Sequence, residues 1–482
     1  MKKKYFIRYL SALAMVITLT SCLFSCMVGP DFSTSDMTAD LDKQWRAANL
    51  DDKQFSSLSR PETQWWKQFN DPVLTDLITQ LSGASLPLAR ARERIVELTA
   101  RQGVTRADKR LQLAAALGYT RASAGDDVVS TQGIPAGQTL DVYSAGLTAG
   151  WEPDLWGRTA RLLEAGEEDI RAGYADLHGI FVSLASELCL AYIEARTLEA
   201  RIANVKENLE LQEQTLELAQ SAYDAGSGSK LSVVRAKRLI ATTASRLPEL
   251  SQALEAARNR IKVILSCQPR DRLIPPGSFP GVPPLIGMGV PADIVTRRPD
   301  IVRALHQYHS AVAGIGVAKA QKYPALSISG TLTLSTDTVA GLFDKQALLY
   351  TLGPGMRFPI FTGGRIESLV AVQTSRAQQA RLALEQQIIQ ALSEVETAGM
   401  GVVKSQVRVK ELAKAEKAAA QSVALLDELY RAGLTDLFEV LDNQKELLAI
   451  KDSALTARHN ALSRVVELYR TLGGGWQVMI EQ

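Results

Sequence analysis

The feature that most limits the fold of this chain is a repetition. Tyr223, Ala225 and Gly226 recur 207 positions later as Tyr430, Ala432 and Gly433, and both glycines interrupt a long amphipathic run. Upstream of the first, Phe181, Leu184, Leu188, Ala191, Ala195, Leu198, Ile202, Val205, Leu209, Gln212, Leu216 and Ala219 step by alternating threes and fours. The same shift reads Ile388, Ala391, Val395, Ala398, Val402, Ser405, Val409, Leu412, Glu416, Ala419, Val423 and Leu426. Only Gln212, Ser405 and Glu416 break the apolar rule, so each copy predicts a coiled-coil helix that turns at its glycine and returns antiparallel. The return arms are read from Leu231 and Val234 after the first turn and from Leu437 and Val440 after the second. That alignment makes the first turn, Ser227-Gly228-Ser229-Lys230, one residue longer.

The arms are too long for a sphere. Between Gly157 and Gly226, and again between Gly364 and Gly433, no proline occurs, and about 70 residues at 1.5 Å each is roughly 100 Å of helix. A rod or the wall of a tube is expected. The return arms, Leu231 to Cys267 and Leu437 to Leu472, are shorter, and Pro248 should kink or break the first.

Net charge is +2 and only 6% of residues are aromatic, which gives no basis for a nucleic-acid partner. The N-terminus carries Lys2, Lys3, Lys4 and Arg8 ahead of an apolar stretch from Tyr9 to Leu19, the pattern of a secretory signal. Leu19-Thr20-Ser21-Cys22 and Leu23-Phe24-Ser25-Cys26 both resemble a lipobox, whose cysteine is acylated after cleavage. Cys189 and Cys267 lie within apolar helical patterns and are expected to be buried thiols. No later run of 18 apolar residues is found, so a bilayer would be crossed only by a closed barrel.

Each half also contains two segments of period two. Leu113, Ala115, Leu117 and Tyr119 form one; Tyr143, Ala145, Leu147, Ala149 and Trp151 alternate with Ser144, Gly146, Thr148 and Gly150 in the next. In the second half Leu326, Ile328, Gly330, Leu332 and Leu334 alternate with Ser327, Ser329, Thr331, Thr333 and Ser335, followed by Leu348, Tyr350 and Leu352. Strands are expected near Leu111 to Ala124, Asp141 to Trp151, Leu326 to Thr336 and Gln346 to Arg357, with Leu117, Leu147 and Leu332 facing lipid. Loops from Gly125 to Gln138 and from Thr336 to Asp344 join each pair. Four strands cannot close a lumen alone, so oligomerisation is implied.

Several short motifs accompany this pattern: Met27-Val28-Gly29-Pro30-Asp31-Phe32, Trp65-Trp66-Lys67-Gln68-Phe69-Asn70-Asp71-Pro72, Arg297-Arg298-Pro299-Asp300, Tyr323-Pro324-Ala325-Leu326, Pro359-Ile360-Phe361-Thr362-Gly363-Gly364-Arg365 and Leu472-Gly473-Gly474-Gly475-Trp476. In this order they resemble the TolC-like outer membrane efflux proteins, in the lipoprotein branch serving pumps of the resistance-nodulation-division type. The resemblance implies an α+β membrane protein: a homotrimer whose four strands per chain make a 12-stranded outer membrane β-barrel, continued by a long α-helical coiled-coil tunnel in the periplasm. It implies a passive duct for small molecules such as drugs, toxic compounds or metal ions, working with a periplasmic adaptor and an inner membrane transporter. It favours Cys26 over Cys22 as the acylated residue. It divides the chain into a signal peptide (1–25), a lipid-anchored extended segment (26–71), a first repeat (72–267), a Pro/Gly-rich connector (268–291), a second repeat (292–476) and a tail (477–482).

By the same resemblance the turns, through Tyr223, Gly226, Ser229, Tyr430, Gly433 and Thr435, meet the adaptor. Phe438 and Asp442, with Lys445 on the same helical stripe, line a periplasmic aperture; their counterparts in the first arm, allowing for a longer first turn, are Ser232, Ala236 and Leu239. A solvated Asp442/Lys445 pair is the plainer reading of that stripe. No phosphate loop, nucleophile with a base or paired carboxylates stand out, so an enzyme is not expected. His306 and His309 have metal-ligand spacing but no evident third ligand or acidic neighbour, so neither a metal nor another cofactor is expected. A type I protein-secretion duct is the nearer alternative, and a periplasmic coiled-coil adaptor lipoprotein the more distant one.

Overall fold

The computed structural model describes residues 27–33, 55–56, 62–123, 138–268, 274–275, 277, 279–281, 286–287 and 291–479. Cys22 and Cys26 lie outside the described residues, as do most of the loop from Gly125 to Gln138 and most of the connector. The described chain runs β1 (Phe55–Ser56), α1 (Pro72–Ala84), α2 (Leu86–Asp108), β2 (Gln112–Ser123), β3 (Thr139–Trp151), α3 (Arg158–Asp224), α4 (Lys230–Ala244), α5 (Arg246–Ile264), β4 (Ile286–Gly287), α6 (Ile294–Arg297), α7 (Pro299–Ala320), β5 (Ala325–Thr336), β6 (Leu348–Arg357), α8 (Arg365–Arg431) and α9 (Leu437–Thr471). The helices α3 and α8 are each 67 residues long, as the proline-free runs require.

The fold divides into two units, and each takes segments from both sequence halves. The first comprises 1–34, 95–172 and 304–383, and holds a four-stranded antiparallel sheet in the order β2-β3-β5-β6. All four strands fall where the period-two pattern places them. The N-terminal residues pack here too. Gly29, at φ +119°, lies so close to α7 that a Cβ on it would sit 2.6 Å from the Gly316 Cα, a position only glycine tolerates.

The second unit comprises 35–94, 173–303 and 384–482. The expectation that 26–71 is one extended segment is corrected within it. Trp65–Phe69 is a 3-10 turn whose Trp65, Trp66 and Phe69 are buried. The Trp65 ring stacks on Tyr469 at 5.1 Å, and Trp66 meets Phe181 edge-on at 6.4 Å. Aromatic bodies of that size are driven inward by the area they remove from water. Asp71 then caps α1, its Oδ1 accepting from Val73 N at 3.0 Å and Leu74 N at 3.2 Å, while its Oδ2 accepts from the Tyr192 hydroxyl at 2.6 Å. Pro72 at the first helical position needs no hydrogen-bond partner there.

The first return arm breaks at Ser245, which places Pro248 in the first turn of α5, where a missing N–H costs nothing. Cys189 is buried and Cys267 half-buried; both are free thiols, and burial pushes the Cys189 thiol up. One correction concerns apolarity. A window within α3 is long and apolar enough by composition to cross a bilayer, but 56% of it is buried inside the chain, the mark of a core helix.

The Arg297-Arg298-Pro299-Asp300 motif builds a buried ionic knot in this second unit. Arg298 donates to Asp300 at 2.7 Å, to Glu394 at 2.8 Å and to the Thr471 carbonyl at 3.1 Å. Gln387 adds a bond to Asp300 at 2.6 Å. Burial opposes the charged form of Asp300, but the Arg298 guanidinium outweighs it and holds the carboxyl below its usual range. A depressed folded-state pKa contributes stability above the ordinary carboxylate value, about 3.9, and loses it as pH falls through the folded value. Arg298→Met should therefore destabilise by about 3–5 kcal/mol near neutral pH, because two carboxylates lose their counterion. Its stability should then rise rather than fall on mild acidification, which denaturant melts of wild type and variant at pH 7 and pH 5 will read.

Candidate functional site

The sheet has two chemically opposite faces. Residues in register share a face, so Ala115, Leu147, Leu332 and Tyr350 form one row across it, and Leu117, Ala145, Leu334 and Leu348 the next. The intervening rows read Ala116-Gly146-Thr333-Leu349 and Ala114-Thr148-Thr331-Thr351, with Thr331 and Thr351 hydroxyls 2.6 Å apart. The apolar rows are uncovered by this chain: Leu117 is 87% exposed and Leu352 79%. Aromatic groups sit toward the ends, Tyr119 beside Tyr143 at 4.9 Å and Trp151 donating to the Lys109 carbonyl at 3.1 Å. An apolar exterior, a small or hydroxylated opposite face and terminal aromatics are what a lipid-facing barrel wall needs.

The helical turns are built alike. At the first, Gly226 adopts φ +77°, its N–H donates to the Tyr223 carbonyl at 3.0 Å and that of Ser227 to the Ala222 carbonyl at 3.0 Å. At the second, Gly433 adopts φ +72°, with its N–H on the Tyr430 carbonyl at 3.0 Å and that of Leu434 on Leu429 at 2.9 Å. Both are glycine-terminated helix ends of the Schellman type. Ser229 caps α4 through Leu231 N, and Asp436 caps α9 through Phe438 N and Glu439 N.

The caps correct the expected alignment. Ser229 and Asp436 are 207 positions apart, as are the helix ends at Asp224 and Arg431 and the starts at Lys230 and Leu437, so the first turn carries no extra residue. Leu231 and Val234 are exposed whereas Leu437 and Val440 are buried. Val233 is the counterpart of Val440, and both pack in one cluster with Ala219, Ala236, Leu437 and Leu441. Adjacent valines at 233 and 234 make either register look apolar in sequence, and only packing separates them. The counterparts of Phe438, Asp442 and Lys445 are therefore Leu231, Arg235 and Arg238, not Ser232, Ala236 and Leu239.

That register exposes a contact the sequence reading missed. The Arg235 guanidinium lies over the Phe438 ring, 5.3 Å from its centroid, while Phe438 stays half exposed. Cation–π contact of this kind is worth about 0.5–1 kcal/mol at exposed sites. Asp442 and Lys445 are both exposed, and no ion pair joins them among the described residues. At the turns Tyr223, Gly226, Ser229 and Gly433 are exposed, Thr435 and Tyr430 are half-buried, and burial raises the Tyr430 phenol. Leu434, 74% exposed, joins them as an apolar tip residue that periodicity alone did not single out.

The profile of the family described as outer membrane efflux protein matches residues 77–266 and 290–474, well over half of the chain. Among curated relatives, the pyoverdine export outer membrane protein OpmQ of Pseudomonas aeruginosa is 27% identical, with 95% of this chain and 96% of that protein covered. The cation efflux system protein CusC of Escherichia coli is 25% identical, over 86% and 88%. Among solved structures, the outer-membrane channel OprN superposes with a TM-score of 0.85 at 30% identity, covering 94% of this chain and all of that one.

If the apolar rows face hydrocarbon, arginine at Leu117, Leu147 or Leu332 costs about 2–4 kcal/mol near the midplane. Each substitution should lower the yield of heat-modifiable, membrane-inserted protein, whereas arginine at Thr148 on the opposite face should not. Unchanged assembly in the triple variant would contradict the facing.

Proposed function

We propose, from the premise that this chain belongs to the outer membrane efflux protein family, that it is the outer membrane channel of a tripartite efflux system, a passive duct formed by three copies. The observation that carries this reading is the four-stranded sheet with an apolar face uncovered, and two edges, β2 and β6, unpaired, among the described residues. Such edges cannot remain open in hydrocarbon, where every unpaired backbone group costs several kcal/mol. Three copies joined edge to edge close a 12-stranded barrel. The long helices then supply a conduit in the periplasm, the turns meet the adaptor, and an inner membrane pump supplies the energy. OpmQ is named for pyoverdine and CusC for cations. Relatives of similar distance with such unlike cargoes fit a wall that conducts without selecting by a fitted pocket, and no catalytic step is required of this chain.

Cys26 is the proposed acylation site, with Cys22 removed. Each buried methylene contributes about 0.8 kcal/mol, so several chains anchor the N-terminus firmly. Mass spectrometry of the mature N-terminal peptide should find acyl chains on Cys26; acylated Cys22 would refute the assignment.

Phe438, Asp442 and Lys445 are the proposed lining of the narrow periplasmic end. Three phenylalanines make an apolar constriction, and three nearby carboxylates favour cations. Arg235 braces the phenylalanine from the neighbouring arm. In single-channel recordings, Phe438→Ala with Asp442→Ala should raise conductance and reduce cation preference. Leu231→Ala with Arg238→Ala, at the counterparts of Phe438 and Lys445, should do much less. Equal effects from both pairs would remove the gate from the second arm, and absence of any conducting trimer would remove the duct itself.

A further inference from the structure

The first unit contains a cluster of ionisable groups that a passive duct does not require. Glu168, only 3% exposed, receives His306 and His309 on the same oxygen: His306 Nδ1 lies 2.6 Å and His309 Nδ1 3.2 Å from Oε2. His309 Nε2 lies 3.1 Å from Glu164 Oε1. Arg161 bonds Glu164 at 2.8 Å and Asp31 at 2.7 Å; Arg171 bonds Glu168 at 2.9 Å and Glu167 at 2.6 Å. The acidic neighbours that the sequence spacing of the two histidines did not reveal are thus present, contributed by α3. Among the described residues no group of three or more His, Cys, Asp or Glu is arranged to hold a metal ion.

The geometry instead fits protons. A carboxylate only accepts, and a neutral imidazole has one N–H and one lone pair. His306 Nδ1 and His309 Nε2 are therefore the donors, and the 3.2 Å approach of His309 Nδ1 to Glu168, too poorly aligned for a hydrogen bond, attracts only the charged ring. The charge count agrees. Four carboxylates, Asp31, Glu164, Glu167 and Glu168, face two guanidiniums, Arg161 and Arg171, so the cluster is neutral only when both histidines are protonated. Tyr308 and Phe32, with Ala377 of α8, pack beside it, and Gln102 of α2 donates to the Leu163 carbonyl.

Residues 27–33 are fastened to this cluster. The Phe32 ring stacks on His309 at 4.2 Å and 11°, Asp31 is bonded by Arg161, and Val28 N donates to the Trp156 carbonyl at 3.2 Å. We propose that His306, His309, Glu164 and Glu168 form a proton-dependent clasp that holds this N-terminal segment against α3 and α7. Deprotonation of His309 removes its ion-pair attraction to Glu168, and loss of both imidazolium charges leaves two excess negative charges. Asp31 is 91% exposed, so it is the carboxylate that water can take most easily, and with it go the Phe32 stack and the segment. Residue 27 directly follows Cys26, so the clasp sets how much slack an anchor at that cysteine has. Nothing in this inference depends on the chain being a duct.

The test is hydrogen exchange of the intact, detergent-solubilised protein at pH 5.5 and pH 8.5, either side of the ordinary imidazole range, with rates corrected for intrinsic chemistry. A peptide spanning residues 27–33 should lose protection by about tenfold or more at the higher pH, the scale of one lost charge-assisted hydrogen bond, while a peptide from α9 changes little. Equal corrected protection at both pH values in the wild type would overturn the clasp, and that result needs no variant to fold. In His306→Gln/His309→Gln the pH dependence should vanish; its persistence there would also overturn the proposal.

Discussion

The unpaired edges of β2 and β6 govern the rest of the molecule. In water an exposed strand edge is an aggregation hazard; in hydrocarbon it is untenable, because no solvent can pair its N–H and C=O groups. The sheet is only four strands wide and clothes one face in leucine, tyrosine and alanine that nothing among the described residues covers. Edges of that kind call for pairing with strands outside the sheet. The opposite face carries small and hydroxylated side chains, such as Gly146, Thr148, Thr331 and Thr333, the chemistry suited to water.

Much of this was legible because two periods were clean. Alternation of two over 113–119, 143–151 and 326–335 located the strands and their facing, since a one-residue slip would exchange leucine for threonine along the whole row. The heptad runs and the absence of proline located α3 and α8 to within a residue or two. What escaped was whatever local period could not decide. At the first turn Val233 and Val234 allowed two registers, and the choice was made by packing against Leu437 and Val440, some two hundred positions away. The Trp65-Trp66 pair was visible as a motif, but its partners Tyr469 and Phe181 lie too far along the chain for its burial to be read.

The ionic groups were the least legible for the same reason. Arg298 stands two positions from Asp300 in sequence, yet the group that completes its knot, Glu394, comes from α8. His306 and His309 looked isolated because Glu164 and Glu168 precede them by well over a hundred residues. A buried charge is affordable only where its counter-charge is supplied, so such residues come in sets, and those sets are assembled by the fold rather than by neighbouring positions.

The corrected register also changes what the duplication means. The two return arms begin with the same turn and cap geometry, yet one carries Leu231, Arg235 and Arg238 where the other carries Phe438, Asp442 and Lys445. A duplicated scaffold has thus kept its backbone while reversing the sign of charge at one position, 235 against 442. The consequence is a division of labour: Arg235 can lie on the face of Phe438 because its own arm offers no ring at the equivalent place. The aromatic side chain of the second arm thus stands beside a cation of the first. The contact joins the return arms of two different hairpins, so no single hairpin could make it.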